Sequence, residues 1–204
     1  MRGRSFVGAR DDKKRTRDDK KRTRDDSARG RDGKPAPWLQ TLRLALREFR
    51  TDDADDLFRL NSDPRVVRYV GNGKTTPRAE IERRLAQIIR NYSIYPGLGN
   101  WSATRRDTGA FVGWYSLKYC PPTCDVEVGY RLLRSEWGQG FATEGATELV
   151  RYAFDDLGLD RVIAVTHRDN RASQHVLMKV GLTDRGWGHY YGRRLRLFAV
   201  ERPQ

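Results

Sequence analysis

The stretch Glu136-Trp137-Gly138-Gln139-Gly140-Phe141-Ala142-Thr143-Glu144 has the residue types and spacing of a site that holds phosphate. It follows a strand-like run, Asp125 to Leu133, and precedes a helix-like run, Ala146 to Leu157. Glycine lacks a Cβ, so a ligand can approach its backbone closely. The first amides of a helix have no internal partners and point outward at its positive end. Together they form an anion site built of backbone. The spacing excludes two common phosphate loops: there is no Gly-x-x-x-x-Gly-Lys-Ser/Thr, and no Gly-x-Gly-x-x-Gly follows the strand. Near this stretch, Val126, Val128 and Tyr130 alternate with Glu127, Gly129 and Arg131, which puts the Glu127 carboxylate on the polar side of the strand. Further on, Asn170 suits a helix N-cap, with Ser173 in the first turn. His167 and His189 read as structural. Cys120 and Cys124 flank Pro121-Pro122-Thr123, and with only three His in the chain a four-ligand zinc site has poor support. No cysteine sits in a nucleophile setting, and both read as free thiols of a reducing cytoplasm.

These residues need elements to position them. The run Thr41 to Arg47 alternates as a first strand, and Thr51-Asp52-Asp53-Ala54 reads as a helix start that Asp63-Pro64 stops. Thr76-Pro77 opens a second helix with Pro at its first position, and Ile81, Leu85, Ile88 and Ile89 mark its buried face. Asn100–Arg106 and Ala110–Tyr119 read as strands joined by the turn Asp107-Thr108-Gly109. After the glycine turn and its helix come an apolar strand, Arg161–Thr166, a helix from Asn170 to Val180 capped by Gly181, and strands near Tyr190-Tyr191 and Leu195–Val200. The order β-α-α-β-β-β-α-β-α-β-β predicts an α/β (α+β) domain with a mixed sheet.

The chain of 204 residues carries a net charge of +13. Residues 1–34 hold +7 of it and the rest +6, so the folded part is only moderately basic. Residues 1–36 contain Asp-Asp-Lys-Lys-Arg-Thr-Arg twice in succession. No position of that seven-residue repeat is apolar, so it has no coiled-coil seam. We expect 1–36 to be a disordered, mixed-charge arm capable of weak contact with nucleic acid, and 37–204 to be the folded domain. No run of about 18 apolar residues predicts a membrane span. The start lacks an apolar signal core, which points to a cytoplasmic protein.

Trp137 to Ala142 resembles motif A of the GNAT N-acetyltransferases, Arg/Gln-x-x-Gly-x-Gly/Ala, with Trp in the first place. Trp-Gly-Gln-Gly-Phe-Ala-Thr-Glu is similar to the RimJ/RimL-type branch, which includes acetylases of ribosomal-protein N-termini. Three further strings match that branch in order: Leu42 through Tyr69, Val126 through Tyr130, and Asn170-Arg171-Ala172-Ser173 with Lys179-Val180-Gly181-Leu182. The resemblance spans Trp38 to Arg202. It implies a mixed, mostly antiparallel sheet flanked by helices, in which the Val126 strand and the Arg161 strand splay apart to admit the pantetheine arm of acetyl-CoA. It implies that Gly138, Gln139, Gly140, Phe141, Ala142 and Thr143 take the pyrophosphate. Backbone near Leu132 and the Asn170 side chain would take the pantetheine. Glu127 would be the general base, and Ser173 a candidate acid beside water, Tyr190 and Tyr191. Many relatives place a Tyr seven residues after the Asn; here Leu177 stands there. The implied activity is acetyl transfer from acetyl-CoA to a primary amine, a peptide N-terminus or a small amine, by direct attack in a ternary complex. No metal is implied, and a monomer or homodimer is expected. The competing reading is a non-catalytic acyl-CoA-binding or RNA-associated module.

Overall fold

The computed structural model describes residues 37–203, and the mixed-charge arm expected over 1–36 lies outside the described residues. Eight strands form one sheet: β1 (Leu39–Gln40), β2 (Leu44–Glu48), β3 (Gly99–Arg105), β4 (Phe111–Tyr119), β5 (Val126–Leu132), β6 (Arg161–Thr166), β7 (Thr183–Tyr190) and β8 (Arg193–Glu201). Their spatial order is β1-β2-β3-β4-β5-β6-β8-β7. Every neighbouring pair is antiparallel except β5 and β6. Antiparallel neighbours can be joined by short hairpins, whereas a parallel pair needs a crossover. That crossover is α4 (Phe141–Asp155), so the glycine turn lies where the chain must leave the sheet. The other helices are α1 (Ala54–Ser62), α2 (Pro64–Val67), α3 (Arg78–Ile94) and α5 (Arg171–Lys179).

Alternation along the strands divides the core in two. On one face Tyr115, Leu117, Val126, Val128, Val162, Ala164 and Phe198 pack with Ala146, Leu149 and Ala153 of α4 and Leu177 of α5. Toward the other face, α1 and α3 contribute Leu57, Leu60, Ile81 and Leu85, packed with Phe49, Phe111 and Trp114. A smaller cluster of Cys120, Ile163, Tyr190, Leu195 and Ala199 joins the β7–β8 hairpin to the middle of the sheet. Among the described residues, no helix is long and apolar enough to cross a membrane.

The expected mixed sheet and element order are present, with local corrections. The strand expected from Thr41 to Arg47 is β2, and it begins at Leu44 because Thr41 makes a tight turn, its amide donating to the Leu44 carbonyl at 2.9 Å. That turn folds β1 back onto β2, pairing Leu39 with Leu46. Thr51 does not cap the first helix; it lies in a 3-10 turn, Thr51–Asp53, that runs into α1. The buried Asp53 carboxylate there takes both Arg47 guanidinium nitrogens, at 2.6 and 2.7 Å, and the Arg50 amide at 2.8 Å. Asp63 stops α1 as expected but also caps α2, accepting from the Arg65 amide at 2.8 Å. Pro77 is the N-cap of α3 rather than its first residue. Tyr190 ends β7, and Tyr191 stands in the turn beyond it.

Gly145, in the middle of α4, has a packing cause. A Cβ at this position would lie 2.4 Å from Cε1 and Cζ of the fully buried Tyr115. The Tyr115 ring is fixed, since its hydroxyl donates to the Phe141 carbonyl at 2.6 Å. Gly145→Ala should therefore lower the melting temperature. The overpacking cost of about 1–3 kcal/mol exceeds the gain in helix propensity of about 1 kcal/mol. A more stable variant would show that the ring yields.

Candidate active site

The parallel pair β5–β6 is joined at two registers only, Val126 with Val162 and Glu127 with Ile163. Yet β5 continues to Leu132 and β6 to Thr166. Past the second register the strands diverge, leaving a wedge whose β5 wall, Val128 to Leu132, is not laddered to β6. Backbone polar groups in such a place need partners. Water can supply them, and so can an extended ligand lying between the strands as an added strand would. Both strands lead, at the open end of the wedge, into helix N-termini: β5 into α4 and β6 into α5.

The turn before α4 holds Gly138 at φ 74° and Gly140 at φ 83°, left-handed values that favour glycine. A Cβ on Gly138 would meet nothing within 4 Å, so the requirement there is conformational rather than steric. The first backbone bond of α4 runs from the Glu144 amide to the Gly140 carbonyl at 3.0 Å. The amides of Phe141, Ala142 and Thr143 precede it and are the outward-pointing donors of the helix start. Their side chains do not make the site. Phe141 is buried, and Ala142 packs against the core. Gln139 turns its side chain away: Oε1 accepts from Arg105 at 2.6 Å, and Nε2 donates to the Ser135 carbonyl at 2.8 Å. The Leu132 carbonyl accepts the Trp137 indole N–H at 3.0 Å, tying the turn to the end of β5.

A brace behind the turn was not legible in the sequence. Arg43 donates to the Gln139 carbonyl at 2.9 Å and pairs with Glu144 at 2.6 Å. Glu144 also accepts from the Arg43 amide at 2.8 Å and from the Thr41 hydroxyl. Arg105 pairs with Glu136 at 2.8 Å. The Phe141 ring lies near both guanidiniums, 4.5 Å from Arg43 and 4.7 Å from Arg105. Burial would raise the Glu144 pKa, but the Thr41 and Arg43 hydrogen bonds outweigh it and hold the carboxyl below its ordinary value.

Glu127 occupies the last laddered register, at the apex of the wedge, and is only 7% exposed. Its Oε2 accepts from the Tyr191 hydroxyl and lies 4.0 Å from Lys118 Nζ. Lys118 also stands 5.0 Å from the Tyr191 ring centroid. Tyr191 and Gly192 form a two-residue turn with both φ positive, at 53° and 70°. Such hairpin turns prefer Asn-Gly or Asp-Gly, and a left-handed Tyr costs roughly 1–2 kcal/mol. The strained turn aims Tyr191 at Glu127. Burial and the Glu127 charge push the Tyr191 hydroxyl far above its ordinary pKa, so it remains a neutral donor. Burial and the same carboxylate raise the Cys120 thiol to about 11.

The structure does not bring Ser173 to Glu127. Asn170 caps α5, its Oδ1 accepting from the Ser173 amide at 3.2 Å. The Ser173 hydroxyl lies 3.2 Å from the Tyr130 hydroxyl. By strand alternation Tyr130 is on the face opposite Glu127, so the base and acid candidates approach the wedge from opposite sides of the sheet. Tyr130 was legible only as a core position. Burial raises its pKa to about 12, with the Ser173 hydrogen bond opposing. Leu177 is buried in the core. His167 stacks on Tyr69 at 5.3 Å and accepts from the Asp169 amide at 3.2 Å, and His189 is exposed on β7.

The model of one protein family, described as an acetyltransferase (GNAT) domain, matches residues 43–183. The chain belongs to the GNAT family of N-acetyltransferases. Among curated members it is 35% identical over 158 residues to an FsC-acetyl coenzyme A-N(2)-transacetylase of Aspergillus fumigatus, covering 74% of this chain and 66% of that relative's length. It is 33% identical over 154 residues to the uncharacterized N-acetyltransferase YoaA of Bacillus subtilis, covering 74% and 85%. The GNAT fold is shared with Mycobacterium smegmatis RimJ, solved in complex with a CoA disulfide, at a TM-score of 0.65 and 19% identity over 81% of this chain and 90% of that one.

The brace predicts a pH signature. The folded pKa of Glu144 is depressed, so the stability it contributes is present above the ordinary carboxyl value of 4.5 and is lost as pH falls through the lowered folded value. Glu144→Gln should cost about 1 kcal/mol near neutrality and give a shallower loss of stability in acid, measured by chemical denaturation from pH 7 to 3. It should also weaken acetyl-CoA binding several-fold. Parallel acid limbs for the two proteins would refute the brace.

Proposed function

We propose that this chain transfers an acetyl group from acetyl-CoA to a primary amine by direct attack in a ternary complex. The observation that carries this reading is the wedge between β5 and β6, with a buried carboxylate at its apex and a backbone anion site at its open end. The residues fit the donor. Amides from Gly138 to Thr143 would receive its pyrophosphate, and the β5 edge near Leu132, with Asn170, its pantetheine arm. Acetyl-CoA supplies a thioester whose C–S bond breaks as the new N–C bond forms.

The chain's own groups manage the protons. An α-amino group (pKa about 8) is partly neutral at pH 7, and a lysine (about 10.4) almost wholly charged. Glu127 accepts the proton the amine gives up. Tyr191 holds that carboxylate and shields it from bulk water. On the opposite face, the Ser173–Tyr130 hydroxyl pair, protonated before transfer, gives one proton to the departing thiolate, and solvent water reprotonates it while Glu127 releases the amine's proton to solvent. The Cys120 thiol, raised to about 11 by burial, stays protonated and is a poor nucleophile, which favours direct attack over an acetyl-enzyme. The A. fumigatus relative, named for transfer from acetyl coenzyme A to an N(2) position, supports nitrogen as the acceptor atom.

Calorimetric titration with acetyl-CoA and with CoA tests the donor site, and micromolar or tighter binding is expected. Glu127→Gln should then lower turnover by about 10²–10⁴-fold while leaving acetyl-CoA affinity unchanged. Unchanged turnover would remove Glu127 from the mechanism. Binding by the parent protein with no turnover of any amine would favour the non-catalytic acyl-CoA-binding reading.

A further inference from the structure

Arg131 stands four residues beyond Glu127 on β5 and on the same face of the sheet, about 13 Å along the strand. Nothing in the proposed chemistry uses it. Its guanidinium lies 5.1 Å from the Trp114 ring centroid and donates to Oδ1 of Asn61 on α1. Among the described residues its buried Nε has no hydrogen-bond partner. A guanidinium has five donors and no acceptor, so one amide oxygen and one ring leave it under-satisfied. The charged neighbour that acts on it is Arg84 of α3, another cation. Burial, with Arg84, lowers its pKa to about 10, which leaves it charged at neutral pH. Among the described residues this largely buried cation has no counter-charge, an arrangement that is disfavoured and that native proteins avoid by pairing such groups.

The surroundings repeat the pattern. Trp114 is paired with both Arg131 and Ser102, and Ser116 with Gly129, so these residues form adjacent rows on the face that holds Glu127. The Ser102 and Ser116 hydroxyls are buried and, among the described residues, also without partners. Gly129 lies between Glu127 and Arg131, and a Cβ there would stand 2.8 Å from the Ser116 hydroxyl. Lys118 adds a second positive charge near Glu127. Ser102 and Ser116 are fully buried, so of the polar groups in these rows it is the Glu127 carboxylate, suited to an amine, and the partly exposed Arg131 cation that can meet an acceptor.

We propose that the acceptor carries, besides the amine served by Glu127, a carboxylate or similar anionic oxygen several bonds away, and that Arg131 receives it. The substrate class is an amino-acid-like molecule or acidic peptide, not a polyamine. This inference rests on the acetyltransferase reading, and its test separates the two.

The full chain, saturated with CoA, is titrated with 6-aminohexanoate and with its neutral amide, and the same pair is offered as acceptors with acetyl-CoA. A tripeptide with Asp in second position and its Asn analogue form the peptide arm. The anionic member of at least one pair should be preferred by about tenfold in affinity or kcat/KM, and the pair that shows it identifies the source of the anion. Arg131→Met should abolish that preference, leave CoA affinity unchanged and raise the melting temperature, since it removes a largely buried charge that has no counter-charge among the described residues. Arg131→Lys should retain part of the preference. Equal behaviour of both members of each pair in the parent protein, or no binding of any probe while CoA binds, overturns the proposal. So does a preference that survives Arg131→Met, or a fall in melting temperature in that variant, which would make Arg131 structural. Failure of the parent protein to bind CoA would instead overturn the acetyltransferase reading.

Discussion

Backbone hydrogen bonding between β5 and β6 stops after two registers, and the rest of the site depends on that stop. A parallel pair normally continues its ladder as long as both strands last, because an unpaired buried amide or carbonyl is costly. Here both strands run on while the ladder does not. The result is a polar-walled wedge in an otherwise closed sheet, with a carboxylate at its apex and helix N-termini at its mouth. A ligand able to pair with backbone completes what folding leaves open.

The remaining charges divide between bracing and chemistry. Arg43, Arg105, Glu136 and Glu144 are tied in pairs and to the glycine turn, so they hold its shape and leave the amides of Phe141 to Thr143 as the unpaired donors of the helix start. Glu127 is buried beneath a tyrosine held in a strained turn. Arg131 is satisfied only in part. The charges behind the loop are therefore paired with one another, whereas that of Arg131, on the Glu127 face, is paired only in part among the described residues.

Much of the fold was legible because local signals agreed with it. The Asp107-Thr108-Gly109 turn, the N-cap at Asn170 and the glycine turn after β5 are short-range features, and each lies on the element expected of it. Errors fell where tertiary contacts overrode local preference. Thr41 looked like part of a strand but turns back to bond Leu44, and Thr51 looked like a cap while Asp53 takes the local bonds instead. Tyr191 could not be placed from sequence, since nothing local favours a left-handed tyrosine. Its partner is 64 residues away.

The sequence by itself determined the family, the glycine turn between β5 and α4 and the side of the strand on which Glu127 lies, because glycine spacing, capping and two-residue alternation act over a few residues. Only the tertiary structure decided that Glu127 and Ser173 approach from opposite faces, that Gly145 makes room for Tyr115, and that Arg131 has no anionic partner among the described residues. Those facts depend on which strands are neighbours and where their pairing ends. Contacts between distant segments leave no period or motif in the chain, and they appear only when the sheet is assembled.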